Sequence, residues 1–267
     1  MKRKIIRGIK VFILLYCTIG IALYYLQEKF ILHPVKLSAD YRFNFTIPFK
    51  EINIPINKTD TVSLIKFLSA TAVRKGVVLY FHGNKENVLH YTNFVNSFTK
   101  NGYEVWMPDY PGFGKSTGEF SEEKLYEQAY QIKRLADNSF HADSIIIYGK
   151  SFGTGIASYL ASTTTAKKLI LETPYSSIPD LFSCYAFMYP TSYMSIYKFP
   201  VVDYLKEVDL PITIFHGTAD GVIPYRCAAR LKKSLKSNDQ FITIEGGSHN
   251  DLSQYDLYKK SLDSLLR

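Results

Sequence analysis

Short apolar runs alternate with longer segments of helical periodicity along most of the chain. Runs such as GVVLYF and SIIIYG predict strands that are buried on both faces, because a strand packed between two layers of helices has no polar face. The segment SEEKLYEQAYQIKRLAD opens with acidic residues in its first turn and predicts a helix. Strands separated by helices of this length are typical of βαβ units. The pattern therefore predicts an α/β fold with a mostly parallel central sheet flanked by helices.

The predicted elements cover most of the chain after residue 50. The first two strands, EINIPIN and TVSLIKFLSA, form a pair with Asn57 to Asp60 as the turn between them. The later strands are GVVLYFHG, YEVWMPDY, SIIIYG, KKLILET, PITIFHG and QFITIEG. The predicted helices are Glu86 to Lys100, SEEKLYEQAYQIKRLAD, TGIASYLAST, IPYRCAARLKKSL and DLYKKSLDSLLR.

The N-terminus has a different pattern, because the stretch from Val11 to Leu26 contains no charged residue. With Lys10 snorkelling at one end and Tyr24 and Tyr25 at the interface, a helix over about residues 9–28 can cross a hydrocarbon core of roughly 30 Å. This predicts a single-pass membrane anchor in residues 1–32 and a separate domain over residues 33–267. A cleaved signal peptide is the alternative, although no A-x-A-like cleavage site follows the apolar stretch.

The net charge of +8 does not indicate a nucleic-acid partner, because most of the excess lies before the anchor. No basic stripe interleaved with aromatic residues follows it. The excess of basic residues before Val11 predicts a cytoplasmic N-terminus. The rest of the chain is then expected on the extracytoplasmic side of the membrane. The basic residues of this tag are Lys2, Arg3, Lys4, Arg7 and Lys10.

The chain has three cysteines, Cys17, Cys184 and Cys227, which are too scattered to predict a disulfide framework. None has the spacing of a metal or redox motif. We expect Cys184 and Cys227 to serve as small apolar packing residues, and we expect neither a metal nor a cofactor.

Polar residues cluster where the predicted strands end, which is where sites form in open parallel sheets. Asn84 follows one strand, Ser151 in YGKSFGTG a second, Asp220 a third and His249 a fourth. Serine, aspartate and histidine in this chain order match the order of the hydrolytic triad on this type of sheet. A simpler interpretation of Ser151 is a helix N-cap.

From about Phe43 to Arg267 the chain resembles the α/β-hydrolase superfamily. The similarity is greatest to its membrane-anchored α/β-hydrolase-domain proteins of the serine aminopeptidase-like and depalmitoylase-like group. Six blocks in the family's order carry the resemblance: FHGN, DYPGFGKSTG, YGKSFGTG, TPYSS, HGTADGVIP and GGSHND. The resemblance implies an oxyanion hole made by the backbone N–H groups of Asn84 and Phe152.

The chemistry of acyl transfer assigns a role to each of these residues. A serine hydroxyl needs a base to accept its proton, which His249 would provide, and Asp220 would hold the imidazole in the required tautomer. Glu172, at the end of KKLILE, is a rival for the acid role. The prediction is a serine hydrolase that cleaves a small-molecule or lipid-like ester or thioester through an acyl-enzyme. The alternatives are an amide or peptide hydrolase and a non-catalytic binding protein of the same fold.

A long insertion, at about residues 175–208, separates two of the predicted strands. One interpretation is a small cap over Ser151 whose inner face receives an apolar acyl chain. The other is a helical excursion whose aromatic side chains belong to the core. The apolar residues in question are Phe182, Tyr185, Phe187, Met188, Tyr189, Tyr193, Met194, Tyr197 and Phe199.

Overall fold

The computed structural model describes residues 1–267 and contains an eight-stranded central sheet. The strands, in chain order, are β1 His33–Pro34, β2 Phe49–Pro55, β3 Thr61–Phe67, β4 Gly76–Phe81, β5 Lys85–Glu86, β6 Tyr103–Pro108, β7 Ile145–Lys150, β8 Lys168–Glu172, β9 Ile212–Gly217 and β10 Gln240–Ile244. Across the sheet their order is β10-β9-β8-β7-β4-β6-β3-β2, and β1 pairs only with β5. All neighbours from β10 to β6 are parallel, whereas β3 and β2 are antiparallel additions. The predicted mostly parallel sheet is confirmed.

The helices predicted from periodicity are present with a few differences in length, and the insertion contains three further helices that the periodicity does not predict individually. They are α1 Lys2–Ile31, α2 Val88–Thr99, α3 Glu122–Asp137, α4 Gly153–Thr163, α5 Ile178–Tyr185, α6 Thr191–Met194, α7 Val201–Glu207, α8 Tyr225–Ala228 and α9 Asp256–Leu265. The predicted helix IPYRCAARLKKSL is α-helical only in α8, after which Ala229–Ser234 is a 3-10 helix. Its first residue, Ile223, stays outside the helix because its N–H binds the side chain of Asp220.

Two hydrophobic clusters, one on each face of the sheet, hold the fold together. The central strands β4, β6, β7 and β9 are buried along their whole length, as the continuous apolar runs predict. Successive side chains of a strand point to opposite faces, so Ile147 of β7 packs under α3, α4 and α7 while Ile146 packs under α2 and α9. This rigid sheet fixes the positions of the loops at the carboxyl ends of its strands.

Helix α1 is longer than the predicted 9–28 span and passes into the domain instead of ending beside it. Its apolar window has a mean hydropathy of 2.0, which with its length is sufficient to cross a membrane. Most of its side chains are exposed, but Gln27 and Ile31 in its last turns are buried, and Ile31 joins the core on one face of the sheet. The end of α1 is therefore packed as part of the domain.

The insertion between β8 and β9 contains α5, α6 and α7, and we refer to its residues 178–200 as the cap segment. Its aromatic residues differ widely in burial. Tyr197 and Phe199 are buried in the core, whereas Phe187 and Tyr193 are 81% and 88% exposed. The cap segment thus has a buried base and an exposed apolar tip.

The expectation that Cys184 and Cys227 are simple packing residues is wrong, because the two form a disulfide bond. Cys184 lies in α5 and Cys227 in α8, so the bond ties the cap segment to the helix that follows β9. No motif in the sequence indicates this pairing, because the fold alone brings together two cysteines that are 43 residues apart. Cys17 on α1 is free and exposed.

Candidate active site

Ser151 lies at a sharp turn between β7 and α4, in a backbone conformation that serine rarely adopts. Its φ is +51°, in the left-handed region. The flanking glycines make the turn possible, because a Cβ on Gly149 would lie 2.7 Å from the carbonyl oxygen of Gly153 and one on Gly153 would collide with the backbone of Phe81. Strain of this kind is typical of functional positions. The turn presents the Ser151 side chain at the carboxyl edge of the sheet.

Ser151, His249 and Asp220 form an unbroken chain of hydrogen bonds. His249 Nδ1 lies 2.8 Å from Asp220 Oδ2, and His249 Nε2 lies 2.9 Å from Ser151 Oγ. An ionised carboxylate can only accept, so Nδ1 must carry the proton that it donates to Asp220. Nε2 is then the free acceptor for the serine hydroxyl. The arrangement can therefore draw a proton from Ser151.

Asp220 is held by the loop that follows β9. Its Oδ1 accepts hydrogen bonds of 2.8 Å from the N–H groups of Val222 and Ile223, while His216 packs behind it and donates to the carbonyl of Ile223. Burial tends to raise the pKa of the Asp220 carboxyl, but the hydrogen bond and charge of His249 and the N–H of Ile223 outweigh it and lower the pKa. Asp220 is thus fixed as a carboxylate beside His249.

Glu172, the rival for the acid role, belongs to a different buried cluster. Its carboxylate accepts hydrogen bonds from Lys150, Tyr148 and Tyr258, and that of Tyr258 is 2.5 Å long. Burial tends to raise the pKa of Glu172, but Lys150 and the two tyrosines lower it below its usual value. The structure brings Asp220, and not Glu172, to His249.

The backbone N–H groups of Asn84 and Phe152 have no acceptor in the protein. Both residues line the same cavity as Ser151, which has a volume of about 190 Å³. His82 supports the loop that carries Asn84: its ring stacks between Tyr91 and Tyr110, and its Nδ1 donates to the carbonyl of Gly83 at 2.7 Å. Asn84 and Phe152 therefore each have a free backbone N–H group and line the cavity beside Ser151.

Comparison with known proteins finds sequences that are named as hydrolases or peptidases. A family model described as serine aminopeptidase, S33, matches residues 72–201. α/β-hydrolase domain-containing protein 17B from Xenopus tropicalis is 28% identical over 204 residues, which are 73% of this chain and 68% of that protein. Its human counterpart is 26% identical over the same length.

Solved structures share the fold. An esterase from Pyrococcus furiosus superposes with a TM-score of 0.66 at 16% identity, over 88% of this chain and 98% of that one. A monoacylglycerol lipase from Paleococcus ferrophilus has a TM-score of 0.58 at 17% identity, over 77% of this chain and 98% of that one. The chain has the α/β-hydrolase fold and is similar in sequence to α/β-hydrolase-domain proteins. The resemblance to α/β-hydrolases and the fold predicted from the six sequence blocks are confirmed.

The cavity that contains Ser151 includes residues that the sequence does not indicate. Phe30 and Ile31, at the end of α1, form part of its wall, and the side chain of Asn84 donates a hydrogen bond to the carbonyl of Ile31. Helix periodicity in α1 predicts only a membrane span, so no pattern marks its last turn as part of a site. The remaining wall is mostly apolar and includes Tyr175, Ile178, Leu181, Phe182, Tyr185, Val222 and Ile223.

Proposed function

We propose that this α/β-hydrolase is a membrane-anchored serine hydrolase that cleaves esters or thioesters with Ser151 as the nucleophile. His249 acts as the general base and then as the general acid, and Asp220 orients it. The observation that carries the proposal is the hydrogen-bonded chain from Asp220 through His249 to Ser151, which lies at a cavity lined by Asn84 and Phe152.

The reaction begins when Ser151 Oγ attacks the substrate carbonyl carbon while its proton moves to His249 Nε2. The resulting oxyanion accepts hydrogen bonds from the N–H groups of Asn84 and Phe152, which are preorganised for it. When the tetrahedral intermediate collapses, His249 gives the proton to the departing oxygen or sulfur, the carbonyl carbon loses its bond to that atom and an acyl-enzyme remains. Water then attacks the acyl group by the same steps, and Ser151 recovers its proton.

A fluorophosphonate probe tests the nucleophile, because it reacts only with an activated serine. We expect the full-length protein to be labelled, Ser151→Ala to lose the label and Ser162→Ala, a serine on α4 away from the cavity, to retain it. Well-folded protein that takes up no label would instead support a non-catalytic binding protein.

The bond class is tested by presenting one acyl group as a p-nitrophenyl ester, a thioester and an amide. We expect turnover of the ester and the thioester to exceed that of the amide. The description of the matching family model, serine aminopeptidase, favours an amide or peptide bond as the second candidate. Higher kcat/KM for an aminoacyl amide than for the ester would select it.

We also propose that α1 spans a membrane with the hydrolase domain outside the cytoplasm. The basic residues that precede Val11 support a cytoplasmic N-terminus. The bond between Cys184 and Cys227 supports an oxidising compartment for the domain, since disulfides persist in such compartments and are rare in the cytosol.

A further inference from the structure

A second apolar cavity, of about 300 Å³, lies between α1 and the cap segment. Leu23 and Gln27 of α1 line one side of it, and Ala186 and Met194 line the other. Phe30, Phe182 and Tyr185 are walls both of this cavity and of the one that contains Ser151. The two cavities are therefore adjacent and share these three side chains as walls.

The cap segment is bound along α1 over several turns. Tyr16 stacks on Tyr189 with ring centroids 4.6 Å apart, and its hydroxyl donates to the carbonyl of Met188 at 2.8 Å. Further up the helix, Gln27 accepts a hydrogen bond of 2.7 Å from the N–H of Ile196. Tyr16 and Gln27 are separated by about 16 Å along the helix axis, at about 1.5 Å per residue. The cap segment therefore lies beside a large part of the apolar stretch Val11–Leu26.

The exposed tip of the cap segment is as apolar as the stretch of α1 beside which the segment lies. No charged residue occurs between Asp180 and Lys198. Phe187 and Tyr193 are largely exposed, and Met188 is also exposed. In water, an exposed apolar patch is unfavourable and marks an interaction surface, whereas in an acyl layer it is solvated. If α1 spans the membrane, its hydrogen bonds to the cap tip place these side chains within the leaflet on the domain side.

We propose that α1 and the cap segment together form the binding channel for the acyl chain of a single-chain lipid ester or thioester, which enters sideways from the bilayer. The acyl chain lies against Leu23, Phe30 and Phe182, and its carbonyl reaches Ser151. The two cavities together are at the lower end of the volume of typical ligand sites, which favours one chain over two. This proposal rests on the proposed serine hydrolase function.

The test fills the channel without touching Ser151. Leu23→Trp and Ala186→Trp each place an indole between α1 and the cap, and Ile21→Trp is the matched control because Ile21 is an exposed residue of the same helix. Full-length protein in phosphatidylcholine vesicles is assayed with p-nitrophenyl butanoate and p-nitrophenyl dodecanoate. We expect the ratio of kcat/KM for dodecanoate to that for butanoate to fall by about tenfold or more in the two channel variants, because several methylene groups lose their burial. The ratio for Ile21→Trp should match the wild type.

An unchanged ratio, or an equal loss for both esters, would overturn the channel while fluorophosphonate labelling of Ser151 still supports the hydrolase. A second measurement does not require catalysis. A dodecanoyl ester that carries a diazirine at the end of its chain is photolysed in vesicles with the Ser151→Ala variant. Crosslinks to α1 and the cap segment that disappear when Leu23→Trp is added support the channel, and crosslinks that persist overturn it.

Discussion

Lys150 and Glu172 form a buried ion pair directly behind the proposed nucleophile. Glu172 contacts the turn that carries Ser151 in two ways: its side chain accepts a hydrogen bond from Lys150, and its backbone carbonyl accepts a 2.8 Å hydrogen bond from the N–H of Ser151. Charges taken out of water are stable only while both partners are present. We therefore interpret Glu172 as a support for the position of Ser151 and not as a proton carrier.

Glu172→Gln should destabilise the fold by about 3–5 kcal/mol, because it leaves the Lys150 ammonium buried without its counter-charge. Urea unfolding measures the loss of stability. Turnover per active site, with the sites counted by fluorophosphonate labelling of a separate sample, should change little. Glu172→Gln combined with Lys150→Met should recover part of the stability. A stable Glu172→Gln variant with abolished turnover would contradict this interpretation.

The same pair predicts how stability depends on pH. The pKa of Glu172 is lower in the folded protein than its ordinary value of 4.5, so the unfolded chain binds more protons between the two values. The stabilisation is fully present above the ordinary value and is lost as pH falls toward the folded pKa. The urea midpoint of the wild type should therefore drop on acidification below about pH 5, and that of Glu172→Gln should drop less.

Ser151→Ala and His249→Ala should each lower kcat for ester hydrolysis by several powers of ten, because members of a triad act as a unit. Asp220→Asn should also cost about 10⁴-fold, since an asparagine leaves His249 in the wrong tautomer. Steady-state assays with a p-nitrophenyl ester measure all three. Retained activity in Asp220→Asn, together with its loss in a folded Glu172→Gln, would reverse the assignment of the acid.

The sequence places Ser151, Asp220, His249 and Asn84 at strand ends. In the structure, Ser151 and Asn84 line one cavity, and hydrogen bonds join Ser151 through His249 to Asp220. The sequence leaves the choice between Asp220 and Glu172 open, because both follow predicted strands. The strands that pair with β8 and β9 decide which of the two carboxylates lies near His249. β8 pairs with β7 so that Glu172 lies opposite Lys150, whereas Asp220 follows β9, which lies next to β10 and the loop of His249.

Among the elements, the cap segment depends most on one covalent bond. A chain-entropy estimate for a closed loop of 43 residues gives about 4 kcal/mol for the Cys184–Cys227 bond. The double variant Cys184→Ser with Cys227→Ser should lower the urea midpoint, and dithiothreitol should lower it in the wild type but not in the double variant. Cys17→Ser, which removes the free cysteine, should have no effect on either measurement. An equal midpoint in the wild type with and without dithiothreitol would show that the bond does not contribute.

The exposed tip of the cap segment predicts contact with lipid. Phe187→Trp places a fluorophore at an 81% exposed position, and the natural Trp106, which is buried beside the sheet, is the reference. In vesicles that contain lipids brominated on their acyl chains, the emission of the added tryptophan should be strongly quenched and that of Trp106 should not. If aqueous acrylamide quenched the added tryptophan instead, the tip would lie in water.

The sequence predicts every strand of the central sheet, and the signal is clearest for β4, β6, β7 and β9, whose continuous apolar runs are buried along their whole length. It predicts the cap aromatics less well. Phe199 packs in the core and Phe187 faces outward, although both are aromatic residues of one segment. An aromatic side chain is favourable in a protein core and in a lipid layer alike, so composition cannot separate the two environments. The two-residue strands β1 and β5 are too short to produce any periodic signal.

For the whole molecule, the proposed topology rests on the basic residues of α1 that precede Val11. A reporter fused after Arg267 that is active only outside the cytoplasm, such as alkaline phosphatase, should be active, and one that fluoresces only in the cytoplasm should be dark. Replacing the basic residues before Val11 by glutamine should weaken this preference. Activity of the cytoplasmic reporter would place the domain on the opposite side.

The last turn of α1 is joined to the loop that carries one of the proposed oxyanion donors. The carbonyl of Ile31 accepts from the Asn84 side chain, and the N–H of His33 donates to the carbonyl of Asn84 at 3.0 Å. A recombinant protein that begins after residue 32, for ease of purification, would lack the hydrogen bond between Asn84 and Ile31 and one wall of the proposed channel. We expect such a trimmed protein to accept short, water-soluble esters and to discriminate poorly among acyl lengths, so that substrate screens carried out on it would describe a more permissive enzyme than the one the cell makes.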